Sequence, residues 1–232
     1  MATEFADRDA GLGGRLLYAG ELDGDARAMI AAANIAGAAS LAASDDRAAQ
    51  KQSVRDGIAD FLVSSLDEAL RILKNQLRKR EAGAVCVGRE PDEVAREMAE
   101  RGVSPDLVRD DLTVGVVAAD EREPRIVTWH VASAPAQWLS KLDAVALACL
   151  DDDAWQTRRW LRLAPRYLGR ALQATRLMSC EPAAAGKFIE HVGRQMRNGA
   201  IGVPVEIRVK DANGHDEVHE LRPWSHGREP GI

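Results

Sequence analysis

From residue 15 onward the chain alternates between short apolar blocks and longer stretches of helical periodicity. The apolar blocks are LLYA (16–19), ASLAAS (39–44), DFLVSS (60–65), GAVCVG (83–88) and PDLVRDD (105–111). Between them lie DARAMIAAANIAG (25–37), DDRAAQKQSVRDGI (45–58), LDEALRILKNQLRKR (66–80) and PDEVAREMAERG (91–102). The blocks read as strands and the intervening stretches as helices. Helix ends are marked in the sequence: Gly37 and Gly102 are stops, and Pro91 fits a first turn. Asp67 and Glu68 open one helix that Arg78, Lys79 and Arg80 close, as the helix dipole favours. Ser65 is placed to cap that helix, with Glu68 three residues on.

Apolar strands alternating with helices of about ten to fifteen residues predict a parallel sheet covered on both faces. The expected class is therefore α/β, a doubly wound, mainly parallel Rossmann-like sheet. Beyond it the pattern is less regular. EREP (121–124) reads as a turn, RIVTWHVAS (125–133) as a sixth strand and 135–151 as a helix. Residues 153–180 read as helix, interrupted or kinked at Pro165, and Pro182 to Asn198 as another. VPVEIRVKD (203–211), the Asn213-Gly214 turn and EVHELRP (217–223) predict a terminal hairpin. The expected organisation is a flexible N-terminus (1–14), a Rossmann-like domain (15–133) and a helical extension ending in the hairpin (134–232).

Composition narrows the classes. With 232 residues, 46% hydrophobic and 29% charged, the chain has the balance of a globular protein with a real core. A net charge of −5 argues against a general nucleic-acid partner. Cys86, Cys149 and Cys180 are odd in number and widely spaced, which fits no disulfide framework and no CxxC metal site. The sequence has no apolar signal segment and no run long enough to span a bilayer, so a cytoplasmic protein without membrane partners is expected. The GLGG at 11–14 precedes the first strand instead of following it, and reads as a tail.

The ordered stretches between 19 and 113 resemble the central NAD-binding domain of the urocanase family. NIAGAASLAAS (34–44) resembles the family's helix end and second strand. VRDGIADFLVSSLDEALRI (54–72) carries its arginine, aspartate and Leu-Asp-acid-Ala-Leu helix as Arg55, Asp60 and Leu66 to Leu70. VCVGRE (85–90) takes the place of a strand ending in Gly-Asn, and RGVSPDLVRDDLT (101–113) is similar to the Arg-Gly-Val-x-Pro-Asp run and the motif after it. The resemblance covers less than half of the chain. It implies a Rossmann-like fold, an NAD site and a hydratase chemistry in which NAD acts as an electrophile toward an imidazole ring.

The departures from the family fall at that site. Where the family has a Gly-rich loop after its first strand, only Gly20 and Gly24 remain, among Glu21, Asp23 and Asp25. Glycines let a backbone approach a pyrophosphate, and helix N–H groups favour its charge. Carboxylates oppose both, since like charges about 4 Å apart cost a few kcal/mol at intermediate dielectric. Ser44, with Asp45 beside it, stands in place of the ribose-binding acid. Gly88-Arg89 replaces Gly-Asn, and of the last motif, Asp-Gln-Thr-Ser, Asp110 and Thr113 remain while Asp111 stands in place of the Gln. None of the three cysteines has the context of the family's catalytic cysteine. The expectation is a urocanase-like protein stripped of the catalytic parts, a small-ligand-binding or assembly/regulatory protein with no cofactor. The alternative is an NAD-dependent, hydratase-like lyase with a modified cofactor site at the strand C-terminal edge.

The candidate ligand or cofactor residues are therefore Gly20, Gly24, Ser44, Asp45, Gly88, Arg89, Asp110, Asp111 and Thr113, all at strand C-terminal ends where open α/β sheets bind ligands. A small cation or polyol suits their acids better than a phosphate. Arg158, Arg162, Arg166 and Arg170 recur every four residues and form a second candidate, a basic stripe for an anion or acidic partner. Trp138, Trp155 and Trp160, among neighbouring leucines, offer apolar surface for packing or self-association of the C-terminal helices. His215, Glu217 and His219 share one side of a predicted strand but read as solvated edge residues, and no metal is expected.

Overall fold

The computed structural model describes residues 9–109, 124–168, 173–211 and 213–223. The chain divides into two compact units, Met1–Val116 with Arg166–Leu168, and Val117–Pro165 with Gly169–Ile232.

In the first unit the strands are β1 (Leu16–Glu21), β2 (Ala39–Ala43), β3 (Phe61–Val63), β4 (Gly83–Val87) and β5 (Leu107–Val108). The helices are α1 (Gly24–Ala36), α2 (Arg47–Arg55), α3 (Leu66–Lys79) and α4 (Pro91–Glu100). All strand pairs are parallel, in the order β3-β4-β2-β1-β5. β2 and β4 are buried along their whole length, which is why they read as unbroken apolar runs. Alternation then divides their side chains. Ala42, Ala84 and Cys86 pack with Ala26 and Ile30 of α1. Leu41, Ala43, Val85 and Val87 pack with Leu66, Ala69 and Leu73 of α3 and Val94 and Met98 of α4. Helices thus cover both faces, as expected of a doubly wound sheet. The caps agree with the sequence: Ser65 Oγ accepts from Glu68 N–H at 3.3 Å, and Gly37 ends α1 with φ 99°. Among the described residues the fifth strand pairs Leu107 and Val108 with Leu17 and Tyr18.

The second unit holds β6 (Arg125–His130), α5 (Pro135–Cys149), α6 (Trp155–Tyr167), β7 (Thr175–Cys180), α7 (Pro182–Arg197), β8 (Val205–Lys210) and β9 (Asp216–Leu221). Its sheet is antiparallel, in the order β7-β6-β8-β9. Two sequence expectations change here. The segment read as helix to residue 180 breaks into α6 and the strand β7, which pairs with β6 from Arg125↔Cys180 to His130↔Thr175. Local pattern favours helix there, but the pairing buries Met178 and Cys180, and tertiary context prevails. The sixth strand, grouped by sequence with the Rossmann-like domain (15–133), pairs antiparallel with β7 and β8. Its inward Val127 and Trp129 alternate with the exposed Ile126, the pattern of a one-sided antiparallel strand. The terminal hairpin β8–β9 is present as read.

Helix α6 continues through Pro165 and ends two residues later, so the proline terminates the helix more than it kinks it. Its side chains cover the outer edge of β7. Thr157 Oγ1 donates to Ser179 O at 2.6 Å, and Trp160 Nε1 donates to Leu177 O at 2.9 Å. Edge carbonyls satisfied in this way no longer offer a template to another chain. Inside, the Trp129 and Phe188 rings meet at 4.8 Å between centroids, tilted by 49°. Both are fully buried. Replacing Phe188 by Ala is expected to cost about 3–5 kcal/mol, read as a fall in the denaturation midpoint of the second unit.

Candidate functional site

The C-terminal edge of the parallel sheet is shaped first by an irregularity in β1. Tyr18 pairs with Leu41 but Gly20 with Ala42, so Ala19 is an extra residue. This bulge requires a positive φ, and Gly20 supplies it at 68°. The chain then turns through Asp23, whose Oδ1 accepts from Ala26 N–H at 2.8 Å and caps α1. The guanidinium of Arg109, just past β5, closes over this turn. It lies 2.8 Å from Asp23 Oδ2 and 3.4 Å from Asp25 Oδ2. The cap hydrogen bond, with help from Arg109, holds the Asp23 carboxyl below the usual aspartate range.

On the α4 side of the same edge is a small open cavity of about 300 Å³, lined by Tyr18, Gly20, Glu21, Asp45, Glu90 and Asp92 among others. The Tyr18 hydroxyl donates to Pro91 O at 3.1 Å. Desolvation, followed by the neighbouring Asp45, Asp92 and Glu21, pushes the Glu90 carboxyl above the ordinary glutamate range. Burial and the nearby acids push the Tyr18 phenol upward as well. A lining of this kind favours neutral hydrogen-bonding or positively charged groups and disfavours phosphate.

The residues singled out in the sequence separate. Gly20 and Asp45 line the cavity. Gly24 begins α1 and faces open space. Ser44 is buried, with Oγ accepting from Asp46 N–H at 3.2 Å and its carbonyl from Gln50 Nε2 at 2.6 Å. It shapes the loop from within. Gly88 lies beside Gln50 and Val63, 3.4 Å from the position a Cβ would take, an ordinary contact distance. Arg89 turns toward α4, pairing with Glu93 at 3.2 Å and with Glu97. Asp110, Asp111 and Thr113 lie outside the described residues. Sequence reasoning missed Tyr18, Glu90 and Asp92 as lining residues, although Glu90 follows Gly88-Arg89 directly. It also missed Arg109, whose acidic partners are more than eighty residues earlier in the chain.

The described members of the basic stripe differ in their surroundings. Arg158 donates to Asp151 O at 3.1 Å and also to Leu150 O, satisfying carbonyls at the end of α5. Arg162 and Arg166 are exposed, with Arg166 over the Tyr167 ring at 5.3 Å. Arg170 lies outside the described residues. On β9, His219 and Glu217 stand 3.2 Å apart. Among the described residues no three His, Cys, Asp or Glu side chains are grouped to hold a metal ion, and no helix is long and apolar enough to cross a membrane.

Comparison with family models gives a match to the urocanase Rossmann-like domain over residues 2–117, half of the chain.

The geometry of Asp23 makes a stability prediction. Asp23→Ala is expected to cost about 1 kcal/mol, and Asp23→Asn, which can still cap, much less. Because the folded-state pKa is depressed, the carboxylate's contribution is present above the unfolded value of roughly 3.9 and is lost as pH falls through the lower folded value. Thermal denaturation of wild type and Asp23→Asn should therefore converge below that pH and separate above it.

Proposed function

The chain belongs to the urocanase family through its Rossmann-like domain, and we propose that this domain binds a small, polar, non-phosphorylated molecule in place of NAD. The observation that carries the reading is the Arg109 bridge to Asp23 and Asp25. A dinucleotide in such a fold places its pyrophosphate on the N-terminal N–H groups of the first helix. Here Asp23 has taken the Ala26 N–H, and a second carboxylate, Asp25, stands in the first turn. Arg109 is itself engaged by both acids, so its charge is already answered. The residues present do not fit a pyrophosphate.

The cavity beside Tyr18 supports the positive half of the proposal. At about 300 Å³ it stands at the lower end of small-molecule sites, which run roughly 300–1,000 Å³. Its carboxylates and the Tyr18 oxygen suit an amine or a polyol. On this reading the protein is a binding or regulatory protein built on the family's fold, and not a urocanate hydratase.

The test is to denature natively purified protein and identify the released small molecules by mass spectrometry, then to follow melting temperature with added NAD, putrescine and ribitol. No released NAD, no shift with NAD and a rise with putrescine or ribitol that is absent in Asp45→Asn are expected. NAD released in near-stoichiometric amount overturns the proposal, as does a melting temperature that none of the three compounds moves.

A further inference from the structure

A second recess lies wholly within the second unit, between α5 and α7. It is an open groove of about 600 Å³ whose floor includes Val145 and Ile201 and whose rim carries Lys141, His191, Arg194 and Gln195. No carboxylate lines it. The geometry points to a binding site for a small organic carboxylate with an apolar body, held by Arg194 and Lys141 over the Val145–Ile201 floor.

Three features select that ligand class. The rim is cationic and hydrogen-bond donating, whereas the floor is apolar, so a fully hydrated inorganic anion leaves the floor unused. Arg194 presents a planar fork matched to a carboxylate. Its present partner, Glu190 at 2.7 Å, is an exposed neighbour one turn away, and such pairs are weak enough for a ligand to displace. Lys141 is held at the opposite wall, with Nζ 4.4 Å from the Trp138 ring centre and 3.5 Å from Ala200 O. The two cations therefore sit on different helices, facing one recess.

His191 adds a positioned ring nitrogen. Its Nδ1 lies 3.4 Å from Sγ of the buried Cys149. Burial keeps that thiol protonated, against a smaller opposing effect of Lys187. That contact engages Nδ1 and leaves Nε2 as the nitrogen available to the groove.

Isothermal titration of the full chain with 3-phenylpropanoate and with the neutral 3-phenylpropan-1-ol tests the site. Arg194 and Lys141 are exposed, so Arg194→Gln and Lys141→Gln should fold as the wild type does. The acid is expected to bind more tightly than the alcohol, and each substitution to weaken the acid about tenfold, the loss of one charge-assisted contact, while leaving the alcohol unchanged. No binding of the acid, equal binding of acid and alcohol, or an acid affinity unaltered in Arg194→Gln overturns the proposal.

Discussion

Burial of β2 and β4 on both faces is the constraint from which the first unit follows. A strand with no solvent face can place only apolar or small residues on either side, and its backbone must be fully paired by neighbours. Ala39–Ala43 and Gly83–Val87 meet that demand by pairing with each other in continuous register and with β1 and β3 outside them. Both faces then need helices, and helices can reach both faces of a parallel sheet only through crossover connections. The small side chains Ala42 and Ala84 let the Ala-rich face of α1 lie close, while the larger Leu41, Val85 and Val87 meet the leucines of α3. Because every strand points the same way, the loops that follow them gather at one edge. The cavity and the Arg109 bridge both lie there as a consequence of the packing.

What closes the first loop is small in energy and large in chemistry. Arg109 and Asp23 are both partly exposed, at 27% and 41% of their side-chain surface, and an exposed ion pair contributes only about 0–1 kcal/mol. The fold would survive without it. For a ligand the matter is different. An incoming phosphate would have to displace the Asp23 carboxylate from Ala26 N–H and would then face Asp25. The loop of a dinucleotide site keeps those N–H groups empty by using glycine. Here the Asp23 carboxylate already accepts from the Ala26 N–H at the start of α1.

The parts legible in the sequence were those governed by local rules. The alternation of strands and helices, the Ser65 cap and the stop at Gly37 each depend on a few adjacent residues. The resemblance of residues 19–113 pointed to the family that the match to 2–117 establishes. Asp45 and Gly20 were found because strand ends are recognisable from pattern alone. What escaped needed partners far along the chain. Thr175–Cys180 has helix-compatible composition and became β7 only because β6 offers it an antiparallel edge. Arg158 looked like one member of a periodic stripe, yet its guanidinium reaches back to the carbonyls of Leu150 and Asp151 just past α5, where periodicity carries no information. Ser44 and Gly88 occupy strand ends as anticipated, with Ser44 buried in hydrogen bonds to Asp46 and Gln50.

Charge at a recess and charge over the whole chain are separate properties, and this protein shows why they must be read separately. The net charge of −5 describes the chain as a whole and sets no local sign. At the strand edge, carboxylates gather because each helix start attracts an acid: Asp23 caps α1, Asp46 caps α2, and Asp92 and Glu93 fill the first turn of α4. A doubly wound sheet places those helix starts together, so an acidic edge follows from helix stabilisation unless glycines replace the acids. In the second unit the groove takes its sign from the opposite rule. His191, Arg194 and Gln195 come from the C-terminal half of α7, whose last turn carries Arg194 and Arg197, where the dipole favours cations. The sign of the α7 wall thus follows from the helix end that borders it, while Lys141 adds its charge from within α5.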